Sequence, residues 1–201
     1  MKRGKKVGFA VMGLGAIARV AVLPAFRHAK HAKLVALVSR DKRKAQNLAR
    51  KFKASAAYSV EELDACLANP QVSAVYLATP QSEHLRDTIA AARAGKHVLS
   101  EKPLALNSAQ SAEMIQVCAE HGVQLMTAYR KYYEPSTIFL KNLIRSGRFG
   151  CAFSARLISS AHSTGSSGLP RKTRAIPSPV GLLIRLPTAS ASRNCSVCRT
   201  I

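Results

Sequence analysis

A short apolar run followed at once by a glycine turn constrains the fold of this chain most. Residues 7–12, VGFAVM, are too few for a buried helix and are typical of a buried parallel strand. The next six residues, GLGAIA, lead into a helix-compatible run at 19–28. Strand, glycine turn and helix in this order form the context of a dinucleotide-binding fingerprint, although GxGxxA alone also occurs in ordinary turns.

The residue types of this turn suit a pyrophosphate. Gly13 can adopt the dihedral angles of a tight turn, and Gly15 has no side chain to block an approaching phosphate. The small Ala18 allows the helix to pack close to the strand, and the free N–H groups at the helix start attract anions. We therefore expect five residues of the turn to contact a cofactor: Gly13, Leu14, Gly15, Ala16 and Ile17.

Strand-like and helix-like segments alternate through residue 149. This alternation predicts an α/β fold of the Rossmann type, with a doubly wound, mainly parallel sheet. The helix at 59–69 is expected to begin with a capping box between Ser59 and Glu62. The expected strands are 7–12, 33–39, 56–58, 72–79, 97–100 and 123–129, and the other expected helices are 42–53, 82–94, 107–121 and 134–148.

The end of the second strand indicates which dinucleotide is bound. In such units an acidic residue there binds the ribose 2′-hydroxyl of NAD. Here Ser39 and Arg40 occupy the position, with Lys44 close behind, and these side chains can hydrogen-bond a 2′-phosphate. We therefore expect NADP, with NAD possible. Asp41 could instead cap the following helix, and the basic residues could simply be its solvated start.

Charge and cysteine content bear on partners and compartment. The formal charge is +21, and residues 135–201 contain ten Lys or Arg and no acidic residue. The basic residues are scattered and there is no Trp, so we expect no nucleic-acid partner. Five irregularly spaced cysteines favour a reducing cytoplasm, and the single CxxC at 195–198 lacks the second pair that a zinc site needs. No apolar run approaches the length of a membrane span.

The predicted chemistry lies at the ends of two strands. Lys102 follows the strand at 97–100, where desolvation can suit a lysine for proton transfer, and Glu101 can orient it. Thr79 and Pro80 turn off the neighbouring strand, where open α/β sheets bind ligands, and His84 follows them. We expect these three residues to contact the cofactor, together with Glu101 and Lys102. The alternatives are that Lys102 is a surface lysine paired with Glu101 and that His84 is a partly buried helix residue.

Four segments in order resemble the Gfo/Idh/MocA oxidoreductases, and most of all the glucose–fructose oxidoreductase branch. They are GLGAIARVAVLPAF, ATPQSEH, AGKHVLSEKPLALN and AYRKYYEP. The resemblance covers residues 5 to about 150. It implies hydride transfer between NAD(P) and a carbon of a sugar or polyol. It also implies a homo-oligomer, although the family's second domain is not recognisable here.

The resemblance also implies roles for single residues. The lysine of the family's EKP motif, here Lys102, binds substrate and nicotinamide and takes part in proton transfer. Arg130 corresponds to an arginine near the nicotinamide. The family's ATPN turn reads ATPQ at 78–81, so its last position differs.

The sequence predicts three parts: an NAD(P)-binding domain at 1–129, the start of an α+β substrate domain at 130–162, and a tail at 163–201. The acid-free tail, rich in Ser, Arg and Pro, matches nothing in the family, and we expect it to be disordered or the product of a shifted reading frame. The fragment is expected to lack a complete substrate site. A non-catalytic nucleotide-binding module is therefore the alternative function, and a basic nucleic-acid binder the third.

Overall fold

A computed structural model describes residues 6–146 in full and the backbone of 154–158 and 181–185. The chain divides into two units, Met1–Tyr129 and Arg130–Ile201. Each unit is described by itself.

The first unit is built on a six-stranded parallel sheet. Its strand order is β3-β2-β1-β4-β5-β6, so the chain direction reverses between β1 and β4. All five pairings are parallel, which confirms the predicted doubly wound α/β sheet. The strands are β1 (Val7–Met12), β2 (Ala32–Ser39), β3 (Ala56–Ser59), β4 (Ala74–Leu77), β5 (His97–Ser100) and β6 (Leu125–Thr127).

Helices connect the strands and cover both faces of the sheet. A π-helical segment, Ala18–Val22, continues into the α-helical turn Leu23–Ala25, and the two together are called α1. Side chains cap two helices, since Asp41 accepts a hydrogen bond from the Lys44 amide and Asn107 accepts one from Gln110. The other helices are α2 (Lys42–Phe52), α3 (Leu63–Ala68), α4 (His84–Arg93, after a 3₁₀ turn at Gln81–Glu83) and α5 (Ser108–Glu120).

Several predicted boundaries are wrong. The apolar runs 72–79 and 123–129 extend beyond β4 and β6, because apolar character continues past the residues that pair with neighbouring strands. The first helix ends at Ala25 rather than residue 28, where i→i−3 bonds to Pro24 and Ala25 form turns instead.

The start of α3 also differs from the prediction. Ser59 is the last residue of β3, and α3 begins at Leu63 with Glu62 in the N-cap position. One bond of the expected capping box is nevertheless present, because Glu62 Oε2 accepts the Ser59 amide at 2.9 Å.

Two apolar cores lie on opposite faces of the sheet. Successive side chains of a strand point to opposite faces, so Ala10 and Met12 join one core while Val11 joins the other. The first core packs beneath α3, α4 and α5, and the second packs beneath α1 and α2. This double covering fixes the sheet and leaves its strand ends free to form a site.

In the second unit a 3₁₀ turn, Arg130–Tyr133, precedes α6 (Pro135–Arg145). Two further strands, β7 (Ser154–Ile158) and β8 (Gly181–Arg185), pair antiparallel. β8 lies within residues 163–201, the range that the sequence predicts to be disordered or the product of a shifted reading frame. The rest of that range lies outside the described residues.

Candidate functional site

The residues expected to bind a cofactor follow adjacent parallel strands. β2, β1, β4 and β5 are neighbours in that order, so their carboxyl ends meet at one edge of the sheet. Along this edge lie Arg40 after β2, the glycine turn after β1, Thr79 after β4 and Lys102 after β5. At about 4.8 Å between strands, these four positions span roughly 14 Å. The edge includes the point between β1 and β4 where the strand order reverses, which is where such sheets bind ligands.

Gly13 brings the end of β1 against the end of β4. Its φ is +85°, and a Cβ atom there would lie 2.5 Å from the carbonyl carbon and oxygen of Ala78. The Gly13 amide donates to Val38 O at 3.1 Å, and the Ala78 amide donates to Met12 O at 2.8 Å. Only glycine satisfies both the dihedral angle and the contact.

The rest of the turn has a different environment. A Cβ atom on Gly15 would meet no atom of the described residues within 4 Å, so the backbone there faces open space. Ala16 is exposed, and Ile17 is 46% exposed. Leu14 is buried in the core beneath α1, so only its backbone can reach a ligand. Open backbone beside the start of a helix fits a pyrophosphate.

The end of β2 carries free positive charge. Asp41 caps α2 through the Lys44 amide at 3.0 Å, and the Asp41 amide donates to Ser39 Oγ at 3.2 Å. The capping alternative for Asp41 is therefore realised. Arg40 is exposed, and within residues 6–146 its guanidinium has no hydrogen bond or ion pair. The hydroxyl of Ser39, the guanidinium of Arg40 and the ammonium of Lys44 can donate to an anion.

Two buried side chains of α4 hold the turn after β4. His84 is 1% exposed, and its Nε2 lies 3.0 Å from the carbonyl oxygen of Thr79. Asp87 is also 1% exposed and accepts the Thr79 hydroxyl at 2.9 Å. Its other oxygen accepts from Arg86, a contact that raises the pKa of Arg86. Thr79 is therefore held by its backbone and its side chain, while Pro80 beside it is exposed.

Glu101 binds other partners than the expected lysine ammonium. Glu101 Oε1 accepts the Tyr76 hydroxyl at 2.7 Å, and Oε2 accepts the backbone amide of Lys102 at 3.2 Å. Burial, reinforced by the bond to Glu101, raises the pKa of the Tyr76 phenol. Lys102 is exposed, and its side chain has no hydrogen bond or ion pair among residues 6–146. Its ammonium is thus available to a ligand.

Arg130 belongs to the second unit. Its side chain is 81% exposed and lies 3.7 Å from Glu134 Oε1. The first unit therefore brings together the glycine turn, the end of β2, Thr79 and Lys102, while Arg130 is described only within its own unit.

Sequence reasoning missed the residues that hold these turns. Tyr76 and Asp87 were assigned to a strand and a helix without a role, yet both bind turn residues. The signal available for Asp87 was a carboxylate three residues after His84, on the same helix face. Ser100 and Leu104, which contact His84, carried no such signal.

The described part of the chain has neither a metal-binding cluster nor a membrane-spanning helix. Residues 6–146 contain no group of three or more His, Cys, Asp or Glu that could hold a metal ion. None of the helices within the described ranges is long and apolar enough to cross a bilayer.

Strand order, glycine turn and open strand edge together define a dinucleotide-binding Rossmann domain. Residues 7–129 match the GFO_IDH_MocA family model, described as an oxidoreductase family with an NAD-binding Rossmann fold. The chain belongs to this family, as its four sequence segments predicted.

Two relatives of known activity illustrate the family. A dTDP-3,4-didehydro-2,6-dideoxy-alpha-D-glucose 3-reductase of Streptomyces violaceoruber is 35% identical over 74% of this chain and 42% of its own length. A D-xylose 1-dehydrogenase [NADP(+)] of Haloarcula marismortui is 34% identical over 72% of this chain and 40% of its own length.

A solved structure agrees with this assignment. The aldose-aldose oxidoreductase of Caulobacter crescentus, complexed with glycerol, is 38% identical with a TM-score of 0.69. The match covers 71% of this chain and 43% of that protein. The chain therefore spans about two fifths of the length of the relatives it matches.

Proposed function

We propose that this chain provides the cofactor half of an NADP-dependent oxidoreductase that acts on a carbon of a sugar or polyol. The observation that carries the proposal is the order of groups along the strand edge. A cationic end at Arg40, an open backbone turn at Gly15 and an ammonium at Lys102 that has no partner within residues 6–146 lie in sequence across neighbouring strands. This order suits the 2′-phosphate, the pyrophosphate and the reacting end of one extended dinucleotide.

The chain's own groups fit that cofactor in three places. Ser39, Arg40 and Lys44 would hold the 2′-phosphate, and the exposed backbone from Gly13 to Ile17 would hold the pyrophosphate. Thr79 and Pro80 would flank its reacting end. When bound, a nicotinamide cofactor supplies or accepts hydride.

Lys102 is the residue proposed for proton transfer. Its ammonium has no partner among residues 6–146, so it can donate to, or after deprotonation accept from, a substrate hydroxyl. Each oxygen of Glu101 accepts a hydrogen bond, one from Tyr76 and one from the Lys102 amide, so Glu101 fixes the loop through these contacts. His84 and Asp87 are buried, so they would act on the cofactor through the turns that they hold rather than by direct contact.

Relatives support the substrate class. The two named above are a reductase of a dTDP-linked deoxyglucose and a D-xylose dehydrogenase, the latter named for NADP(+). We also propose a cytoplasmic location, because Cys66 and Cys118 are free and buried thiols, as is usual in a reducing compartment.

The oligomeric state is a further proposal. The family resemblance implies a homo-oligomer, and sedimentation velocity distinguishes a homo-oligomer from a monomer.

The test measures NADPH binding by its fluorescence and then turnover with a panel of aldoses and polyols. We expect NADPH to bind, and Lys102→Ala to lower kcat by about 10²–10⁴-fold while changing cofactor affinity much less. Lys33→Ala, an exposed lysine near the amino end of β2, is the matched control and should change neither.

The other possible results of this test distinguish between the alternative functions. Binding without turnover on any sugar would favour the non-catalytic nucleotide-binding module. Absence of NADPH binding would overturn the proposal and favour the basic nucleic-acid binder. Full turnover in Lys102→Ala would remove Lys102 from proton transfer.

A further inference from the structure

The buried ring of His84 contacts two different turns of the candidate site. His84 is the first residue of α4 and is 1% exposed. Its Nε2 lies 3.0 Å from Thr79 O in the turn after β4. Its Nδ1 lies 3.1 Å from Leu104 O, in the segment that follows β5, and 3.2 Å from Ser100 Oγ, at the last residue of β5. One ring therefore joins both turns.

The two residues that contact Nδ1 of His84 flank the Lys102 loop in sequence. Ser100 and Leu104 stand immediately before and after the tripeptide Glu101-Lys102-Pro103. The same nitrogen thus meets both ends of the loop that carries Lys102. Either tautomer of the ring can donate to one of the two carbonyl oxygens, and Ser100 can donate to Nδ1 when that atom is unprotonated.

Other contacts also hold this loop. The Glu101 amide donates to Leu77 O at 2.9 Å, and Ser100 Oγ can donate to Glu101 O at 3.3 Å. Glu101 binds the Tyr76 hydroxyl and the Lys102 amide, and Gln81 binds the carbonyl oxygen of Ala105 beyond the loop. The Lys102 side chain itself has no hydrogen bond or ion pair within residues 6–146. The position of its ammonium is therefore set by its backbone, and His84 contacts the residues at both ends of that backbone segment.

We propose that His84 is a positioning residue for Lys102, which locks the Lys102 loop to the Thr79 turn so that both face one ligand. The proposal rests on the proposed function, in which Lys102 lies at the reacting end of the cofactor. Asp87 complements His84, because it holds the Thr79 hydroxyl from the next turn of α4 at 2.9 Å. Loss of the ring should free the loop without unfolding the sheet.

Two substitutions separate the contacts of the ring. The amide nitrogen of asparagine can occupy the place of Nδ1, and that of glutamine the place of Nε2. His84→Asn should keep the bonds to the Lys102 loop and lose the bond to Thr79. His84→Gln should do the reverse, and His84→Leu should lose both. Thr88→Val is the matched control, because it is a buried change in the same helix and the Thr88 hydroxyl has no hydrogen-bond partner in the described part of the chain.

The first readout is amide hydrogen exchange without cofactor. In His84→Gln and His84→Leu, the segment 100–106 should exchange about five-fold or more faster than in the unmodified chain, the effect of losing one hydrogen bond. The segment 34–40 of β2 should not change. His84→Asn and Thr88→Val should stay near the unmodified rate. Equal exchange of 100–106 in all variants would overturn the proposal, as would equal acceleration across the sheet.

The second readout is the rate at which Lys102 is acetylated, with and without saturating NADP⁺. The cofactor should protect Lys102 in the unmodified chain and in His84→Asn, and protection should fall about five-fold in His84→Gln. If NADP⁺ protects Lys102 in no variant, the proposed function fails, while hydrogen exchange still decides the role of His84. Full protection in His84→Gln and His84→Leu would overturn the positioning role.

Discussion

A Cβ atom on Gly13 would lie 2.5 Å from the carbonyl carbon of Ala78, so the ends of β1 and β4 touch backbone to backbone. Gly15, two residues on, has nothing within 4 Å of the same position. The two glycines of one motif thus have opposite surroundings. One permits a contact within the protein, and the other leaves space for a ligand.

The first prediction compares Gly13→Ala with Gly15→Ala. Gly13→Ala should lower the free energy of unfolding by about 1–3 kcal/mol or more, because it adds both a clash and a strained φ of +85°. Gly15→Ala should change it by no more than about 0.5 kcal/mol. Gly15→Ala should instead weaken NADPH binding about ten-fold, or roughly 1.4 kcal/mol, by filling the pyrophosphate space. Urea denaturation and NADPH fluorescence measure the two effects.

The pair of variants is its own control. If Gly15→Ala destabilises the fold as much as Gly13→Ala does, the open space around Gly15 does not exist in solution. If Gly15→Ala binds NADPH as tightly as the unmodified chain, the pyrophosphate does not approach this backbone.

The second prediction concerns Thr88, which is fully buried in α4. Its Oγ1 has no hydrogen-bond partner among the described residues. Burying an unsatisfied hydroxyl costs about 1–3 kcal/mol, and valine has nearly the same shape as threonine but carries a methyl group in place of the hydroxyl. Thr88→Val should therefore raise the free energy of unfolding by about 1 kcal/mol. Urea denaturation measures the change.

Thr79→Val provides the contrast, because the Thr79 hydroxyl donates to the buried Asp87. This variant leaves a buried carboxylate oxygen without its partner and should be destabilised by about 1–3 kcal/mol. A Thr88→Val protein less stable than the unmodified chain would mean that Oγ1 has a partner in solution.

Periodicity and turn chemistry predict most of the fold but not the contacts that hold the site. Residues 7–12 form an apolar run, and residues 97–100 contain the apolar pair Val98 and Leu99; turn residues follow both segments, so the predicted limits of both strands match the observed ones. The run 72–79 was not, because strand ends depend on the length of the neighbouring strands. Apolar pattern carries no information about those partners.

The sequence predicts those parts of the site whose location depends only on the order of the strands. Parallel strands place their carboxyl ends together, so the neighbourhood of the glycine turn, Thr79 and Lys102 follows from strand order. The role of His84 could not be predicted, since its partners Ser100 and Leu104 lie 16 and 20 residues away. Nor does an EK pair reveal that Glu101 binds Tyr76, 25 residues away, instead of the ammonium.

The third prediction concerns the thiol of Cys66, which is fully buried in the core beneath α3. Burial raises the pKa of Cys66 from 9.0 to about 11. Because the folded pKa lies above the unfolded value, the thiol's contribution to stability is complete below about pH 9 and is lost as pH rises through 11. At pH 8.5 alkylation of Cys66 by iodoacetamide should therefore be much slower in the folded chain than in urea.

Peptide mass mapping assigns the alkylation to Cys66 separately from the other cysteines. Cys118, whose pKa burial also raises, should behave alike. Equal alkylation rates for Cys66 with and without urea would show that the thiol is accessible in solution. Such a result would contradict the packing of α3 against the sheet.

The last prediction concerns cofactor preference at the end of β2. Arg40 is exposed and its guanidinium has no partner within residues 6–146, so it is free to bind the 2′-phosphate that distinguishes NADP from NAD. A charge-assisted hydrogen bond contributes about 1.5–3 kcal/mol, which corresponds to roughly ten-fold or more in affinity. Arg40→Asp should weaken NADPH binding by at least that factor and strengthen NADH binding, because a carboxylate repels the phosphate and accepts the ribose hydroxyl.

Arg50→Asp is the matched control for this change. Arg50 is also exposed but lies near the carboxyl end of α2, where it binds Asn47, so its reversal changes the net charge equally without removing a group from the strand edge. Both variants are titrated with NADPH and NADH at low and at physiological salt. Because salt screens long-range attraction, the comparison separates a direct contact between Arg40 and the 2′-phosphate from the effect of the chain's net positive charge. If Arg50→Asp weakens NADPH binding as much as Arg40→Asp does, the preference is a general charge effect. Equal affinity of the unmodified chain for NADPH and NADH would overturn the assignment of NADP.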